Sequence, residues 1–110
     1  MQTSKAIYGQ TVQATAAIKG RTFANFTGDV AAPGAAAKGV YRTDATAGEY
    51  VTVDQIGTAL VIAGATLAAG DAVEVGAAGH AIPHTTGVIV GRAEHATAAG
   101  QAAEIFLIAA

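Results

Sequence analysis

The chain has 110 residues, 13% of them charged, with a formal net charge of -2 and no cysteine. This length allows one domain, and the few scattered Lys and Arg residues exclude the clustered basic surface that nucleic-acid binding needs. The lack of cysteine excludes a disulfide framework and a cysteine-type zinc site, and no apolar run approaches the roughly 20 residues of a membrane span. We therefore expect neither nucleic acid nor a membrane as a partner.

Residues 1–10, MQTSKAIYGQ, have mixed polarity and no turn signal. They lack the apolar stretch of a signal peptide, so we expect a protein made and used without secretion. Two interpretations stay open for this segment: a frayed terminus, or an arm that adds as a strand to a partner's sheet edge. The arm interpretation leaves residues 11–110 as a single β-rich domain. The candidate arm contacts are Gln2, Thr3, Ser4, Lys5, Ala6, Ile7 and Tyr8.

Short strand candidates follow at a spacing of about 8–12 residues, a pattern typical of all-β domains. An alanine-rich segment at 30–37 contains Pro33-Gly34, which favours a loop over a helix. Ile56-Gly57 is expected to interrupt the strands on either side, and Phe23 and Phe26 are expected to face opposite sides of a strand. The candidates are 11–16, 21–26, 38–43, 49–55, 58–63 (buried on both faces), the end of 67–75, 80–83, 88–93 and a closing strand that reaches Ile108. The pattern predicts a small β-sandwich or partly open β-barrel of about eight short strands.

One turn motif occurs three times, as ATAGEYVTV at 45–53, LAAGDAVEV at 67–75 and ATAAGQAAEIFLI at 96–108. Glycine supplies the positive φ of a tight turn, and the polar residue after it can hydrogen-bond local backbone. An alternating strand follows each turn. The turn residues predicted to be structural are Gly48, Gly70, Asp71 and Gly100.

Candidate catalytic and metal-binding residues are few. His80 and His84 have the spacing of two metal ligands on a helix, but in an extended strand four residues span about 13 Å. Glu94 and His95 are adjacent, so on a strand they point to opposite faces. The single serine, Ser4, lies in the proposed arm and leaves no Ser-His-Asp set. We therefore expect no enzymatic activity, no metal site and no cofactor.

The A-G-D-x-V turn resembles the turns of biotinyl and lipoyl carrier domains. Those domains present a modified lysine at a hairpin tip, whereas the lysines here lie in the contexts TSKAI, IKGR and AKGVY. A carrier or small ligand-binding β module is therefore the alternative function, and it predicts a modified lysine or a well-formed pocket.

A longer resemblance begins at Lys38. The order G-V-x-R-T-D-A-x-A-G-E-x-V-T-V, an apolar strand, A-A-G-D-A-V-x-V-x-A-A-G-x-A, T-T-G-V-I-V-G-R-A and A-A-G-x-A-x-I-x-L is similar to that of the small capsid decoration, or cement, proteins of tailed bacteriophages. The resemblance implies a compact, usually trimeric β protein on the outer face of the phage head. It further implies that this protein clamps neighbouring major capsid proteins together, with the N-terminal segment reaching a capsid subunit. Such a protein is made in the host cytoplasm and located on the outer capsid surface of the virion.

Overall fold

The computed structural model describes residues 5–107, with side chains described from residue 9. This part of the chain forms eight strands and no α-helix, and the strands make one nearly closed, barrel-like sheet. The all-β fold predicted from the sequence, with about eight short strands, is confirmed. The strands are β1 Lys5–Gln13, β2 Phe23–Ala24, β3 Gly39–Tyr41, β4 Tyr50–Ile62, β5 Ala72–Val75, β6 Ala81–Pro83, β7 Gly91–Ala93 and β8 Ala102–Leu107.

The longest strand, β4, lies in the middle of the sheet. The strand order is β2-β3-β4-β8-β7-β5-β6, and β1 pairs with β4 outside this path. All the strand pairs of the described residues are antiparallel, and a 3-10 turn, Ala77–Gly79, connects β5 to β6. No helix in residues 5–107 has the length and apolar composition needed to cross a membrane.

The predicted interruption at residues 56–57 is wrong, because β4 runs through it without a break. Gly57 has a φ of 102°, a conformation that glycine adopts without steric cost, so the chain changes direction while strand pairing continues. The expected burial of 58–63 on both faces is also wrong. Ala59, Val61 and Ala63 are buried, but the alternate residues Thr58, Leu60 and Ile62 are partly exposed.

Two other local predictions are confirmed. Residues 30–37 form a loop without a helix, as expected from the turn dipeptide inside the alanine run. Phe23 is 0% exposed and Phe26 is 68% exposed, so one ring lies in the core and the other on the surface as expected, although Phe26 lies in a turn after the end of β2 and not on a strand.

The sheet repeats one pattern of strand pairing along the chain. A first half, residues 5–56, contains β1 to β3 and the start of β4, and a second half, residues 57–107, contains the remainder. Each residue of β1 and β2 corresponds to the residue 49 positions later in the chain, as Gln13 corresponds to Ile62. Each residue of β3 and of early β4 corresponds to the residue 52 positions later, as Tyr50 corresponds to Ala102. Four pairs recur in this way: Gly9↔Asp54 as Thr58↔Phe106, Gln13↔Tyr50 as Ile62↔Ala102, Phe23↔Val40 as Ala72↔Arg92, and Tyr41↔Val53 as Ala93↔Ile105.

Four equivalent turns complete the repeat. In each turn the N–H of one residue at positive φ donates to a carbonyl of a facing segment at 2.7–2.8 Å. The pairs are Gly48 to Ala14, Gly70 to Ala93, Gly100 to Ala63, and Arg21 to Tyr41. The φ angles are 88°, 85°, 86° and 62° in the same order. The fourth turn thus holds an arginine in a conformation that the other three give to glycine.

The acidic residue after two of these glycines also closes its own turn. The Glu49 carboxylate accepts from the Thr46 N–H at 2.8 Å, and the Asp71 carboxylate accepts from the Ala68 N–H at 2.9 Å. The hydrogen bond from Thr46 lowers the pKa of Glu49. The local role of these carboxylates is to fix the turn that starts the next strand.

The turns provide a matched pair of substitutions. A Cβ at Gly70 would meet nothing within 4 Å, so Gly70→Ala changes only the backbone preference and is expected to cost about 1–2 kcal/mol of the free energy of unfolding. Arg21→Gly removes the same penalty and is expected not to lower that free energy. Urea unfolding of both variants measures the difference, and a loss of more than about 1 kcal/mol in Arg21→Gly would show that its side chain is needed at this turn.

Each half has its own hydrophobic core. The first-half core contains Ala14, Ile18, Ala24, Tyr41, Ala45, Val51 and Val53. Six of these residues have their equivalents in the second-half core: Ala63, Leu67, Val73, Ala93, Ala103 and Ile105. The second-half core also includes Phe23, Val40 and Ala31 from the first half, so the two halves pack against each other.

Candidate functional site

The surface of the first half that contacts the second half is built from three neighbouring strands. Phe23, Val40 and Asp54 face each other across β2, β3 and β4, on the side opposite the first-half core. Their exposed fractions are 0%, 1% and 3%. We call this buried surface the seam.

A buried carboxylate lies in the seam. Arg42 Nη2 donates to Asp54 Oδ1 at 2.6 Å, with the Asp54 side chain 4% and the Arg42 side chain 55% exposed. This hydrogen bond, with the attraction between the two charges, raises the pKa of Arg42. Removing the guanidinium would leave the buried Asp54 carboxylate without its charged partner, which would destabilise the fold.

A cavity of about 180 Å³ lies at the seam and is lined by residues of both halves: Arg21, Val40, Tyr41, Arg42, Asp54 and Leu60. Leu60 lies in the part of β4 that belongs to the second half of the chain. In the same part of β4, the Ile62 N–H donates to the Arg21 carbonyl at 2.9 Å. The outward side of β4 after Gly57 therefore lies against the seam.

The equivalent surface of the second half is open to solvent. Ala72, Arg92 and Phe106 occupy the positions of Phe23, Val40 and Asp54, and we call these three residues the Phe106 patch. Phe106 is 48% exposed. Arg92, also exposed, donates from Nη1 to the Gly70 carbonyl at 3.1 Å, which holds its guanidinium beside the Gly70 turn.

A second exposed surface lies on the outward side of β1 and early β4. Thr11, Gln13 and Tyr50 face outward there, and we call them the Tyr50 patch. Tyr50 is 71% exposed, and Gln13 Nε2 donates to the Gly48 carbonyl at 3.1 Å. These residues are the equivalents of Leu60, Ile62 and Ala102 in the second half.

Two of the three histidines, His84 and His95, each lie beside one carboxylate. His84 Nδ1 lies 3.3 Å from Glu74 Oε1, and His95 Nε2 lies 3.4 Å from Glu104 Oε1. The Glu74 carboxylate also accepts from the N–H groups of Thr85 and Gly87, at 2.6 and 3.0 Å, and these bonds lower its pKa. Glu74 thus anchors the loop before β7.

The described residues do not bring together a set of side chains that could hold a metal ion. Between residues 5 and 107, no three His, Asp or Glu side chains come together as a metal ligand set. His80 and His84, which the sequence places at ligand spacing, are not brought to a common point with a third ligand. Ser4 lies outside the described residues.

The predicted arm is described only in part. Gln2, Thr3 and Ser4 lie outside the described residues. The backbone of residues 5–10 belongs to β1 and pairs with β4 of the same chain, from Lys5 opposite Thr58 to Gln10 opposite Val53. Its pairing shifts register between Ala6 and Gly9.

Sequence reasoning did not find either patch. The available signal was the outward register of large aromatic residues, because Tyr50 and Phe106 alternate with buried valine, alanine and isoleucine in their strands. The two patches can be recognised only from the strand pairs, which show which positions of the two halves are equivalent.

No protein-family model and no curated protein sequence matches the chain. Among solved structures, the chain is similar to the N base of the head fiber gp8.5 in bacteriophage phi29, with a TM-score of 0.77 and 22% sequence identity. The similarity covers 92% of this chain and 93% of the phage chain. At this level of identity the comparison shows a shared fold that extends over nearly all of both chains.

Proposed function

We propose that the chain is a structural protein of a bacteriophage virion that binds the outer surface of the head. In this role it stabilises the head by bridging neighbouring major capsid protein subunits. The observation that carries the proposal is the fold, shared over nearly the whole chain with the N base of a phage head fiber. The resemblance of the sequence to phage decoration proteins supports the same conclusion independently of the structure.

The surface of the molecule suits protein contact. Five large apolar side chains are exposed among the described residues: Phe26, Tyr50, Ile56, Val88 and Phe106. Aromatic side chains of this kind are enriched in protein interfaces. Much of the core is alanine, which buries little apolar area, and binding to a larger surface would stabilise the native state by mass action.

The proposed capsid contact of residues 1–10 has a structural limit. The backbone of residues 5–10 already pairs with β4, so the part of the proposed arm that could reach a capsid subunit without giving up strand pairing is the chain before Lys5, which includes Gln2, Thr3 and Ser4. The side chains of Lys5, Ala6, Ile7 and Tyr8 remain proposed contacts. A homotrimer would present three such segments together, and their effective concentration would multiply individually weak contacts.

Co-sedimentation with empty heads of the phage that encodes the chain tests the proposal. We expect the full chain to sediment with the heads and a variant that lacks residues 2–4 to sediment several-fold less, because β1 stays intact while the proposed contact is lost. A variant with Gln2, Thr3 and Ser4 replaced by alanine keeps the length and serves as the control for side-chain contacts.

A folded chain that never sediments with these heads would contradict the proposal. Mass spectrometry of Lys5, Lys19 and Lys38 from the native source would then test the carrier alternative, since a carrier domain requires a modified lysine.

A further inference from the structure

We propose that a cleft between Arg21 and Arg42 binds one carboxylate side chain, of an aspartate or a glutamate, on the protein that this chain contacts. We call it the Arg21 cleft. It has a volume of about 450 Å³ and adjoins the seam cavity, which both arginines also line. The inference rests on the proposed function, in which the partner is a major capsid protein subunit, and it adds the chemistry of one contact. The residues that line the cleft are Gly20, Arg21, Arg42, Thr43, Asp44 and Ile62.

Arg21 has a backbone conformation that the equivalent turns give to glycine. Its φ is 62°, in the left-handed region where a side chain has a steric cost that glycine avoids. The bond that the turn needs comes from the backbone N–H of Arg21, which donates to the Tyr41 carbonyl at 2.8 Å. Gly48, Gly70 and Gly100 donate the equivalent bond in the other turns. The turn therefore does not explain an arginine at this position, and residues in costly conformations concentrate at functional sites.

The Arg21 guanidinium has no partner in the described part of the chain. Its side chain is exposed, and no described residue forms a hydrogen bond or ion pair with it. The other two arginines do have partners: Arg42 pairs with Asp54, and Arg92 donates to the Gly70 carbonyl. A guanidinium carries five N–H donors, so Arg21 has unused donors for an acceptor outside the chain.

Arg42 is the second guanidinium of the cleft, and its position is fixed. Its Nη2 donates to Asp54 Oδ1 at 2.6 Å, and the Asp54 side chain is only 4% exposed. The Arg42 side chain is nevertheless 55% exposed, so the ion pair anchors the guanidinium without burying it. An anion in the cleft therefore meets one free guanidinium and one that is already oriented, which lowers the entropic cost of binding.

The charges around the cleft favour a carboxylate over a phosphate group. Two carboxylates are already present: Asp54 pairs with Arg42, and Asp44 Oδ1 accepts from the Gly20 N–H at 2.6 Å. Neither pairs with Arg21, and one added negative charge balances that guanidinium. A phosphate group carries up to two negative charges and would be repelled more strongly by Asp44. A carboxylate also accepts two parallel N–H bonds from one guanidinium.

A side chain that projects from a facing protein surface can reach the cleft. Arg21 and Arg42 are both exposed, so the cleft opens at the surface of the molecule. Arginine is enriched among the residues that dominate the affinity of protein interfaces. The paired bonds between a guanidinium and a carboxylate also restrict the angle of approach, so this contact would orient the chain on its partner.

Co-sedimentation of arginine variants with phage heads tests the contact. Arg21→Gly keeps the turn, because glycine occupies the equivalent positions, and we expect this variant to sediment with heads several-fold less than the unmodified chain. Arg92→Gln is the matched control, because it removes one positive charge outside the cleft, and it is expected to sediment like the unmodified chain. Equal sedimentation of Arg21→Gly and the unmodified chain, or an equal loss in Arg92→Gln, would overturn the inference.

Nuclear magnetic resonance of the isolated chain gives a second readout that needs no heads. Sodium acetate is the probe, and it replaces sodium chloride at constant ionic strength so that general screening stays the same. We expect the side-chain N–H signals of Arg21 and Arg42 to shift and saturate, and the Arg42 signal to lose this response in Arg21→Gly. Acetate that causes no saturable shift would overturn the inference, as would sodium phosphate that saturates these signals at a lower concentration than acetate.

The two experiments separate this inference from the proposed function. A chain whose Arg21 and Arg42 signals respond to acetate, but which does not sediment with heads, retains the carboxylate site and contradicts the virion role. A chain that sediments with heads, while Arg21→Gly sediments equally well, contradicts the carboxylate contact alone.

Discussion

Phe23→Ala is expected to cost about 3–5 kcal/mol of the free energy of unfolding, the range found for truncating a buried aromatic side chain. Phe23 is fully buried and belongs to the second-half core although it lies in the first half. Its loss would therefore open a cavity where the two halves meet. Urea unfolding measures the change.

Phe26→Ala is the matched control for this substitution. It removes the same side chain three residues later in the sequence, from a position that is 68% exposed, and is expected to change the free energy of unfolding by less than about 0.5 kcal/mol. Equal effects of the two substitutions would contradict the packing of Phe23 at the seam.

Gly39→Ala and Gly91→Ala are each expected to cost about 3 kcal/mol or more, at or above the upper end of the usual range for overpacking. The two glycines are equivalent in the repeat. A Cβ at Gly39 would meet the Asp54 carbonyl oxygen and Val53 Cγ1, and a Cβ at Gly91 would lie 2.6 Å from both the Phe106 carbonyl oxygen and Ile105 Cγ2. Backbone atoms in a paired strand cannot move away without breaking the sheet.

Gly9→Ala is the control for these glycines. Its nearest neighbour would be Thr52 Cγ2 at 3.2 Å, and its equivalent in the second half is Thr58, so the repeat already accepts a side chain there. Thermal unfolding of the three variants should rank Gly9→Ala well above the other two in midpoint. A Gly39→Ala midpoint close to that of Gly9→Ala would contradict the close strand approach.

The fold class could be predicted from the sequence because its signals are local. Alternating apolar residues and glycine turns decide strand and turn within a few residues. The continuity of β4 could not be predicted in this way, since Gly57 has the same local appearance whether a strand ends there or bends. The pairing of both parts of β4 with β1, β3 and β8 decides between these outcomes.

The internal repeat was only partly visible in the sequence. Three of its four turns carry glycine, and the repeated sequence motif predicts these three turns. The fourth carries Arg21, whose positive φ is imposed by the facing Tyr41 carbonyl and by the Ile62 N–H rather than by residue type. Tertiary contacts override local preference at this position.

The two patches depend on a comparison that the sequence does not provide. Phe106 and Asp54 are equivalent, yet one is a half-exposed aromatic residue and the other a buried carboxylate. Because the two residue types are so different, the sequence alone does not show that their positions are equivalent. Strand pairing reveals it, and with it the surface that one half buries and the other leaves open.

The most direct test of the proposed virion role is electron cryomicroscopy of phage heads prepared with and without the chain. We expect additional density on the outer surface of the decorated heads that fits the eight-stranded fold and touches at least two major capsid protein subunits. Heads whose outer surface is the same in both samples, with the folded chain left in solution, would contradict the proposed role.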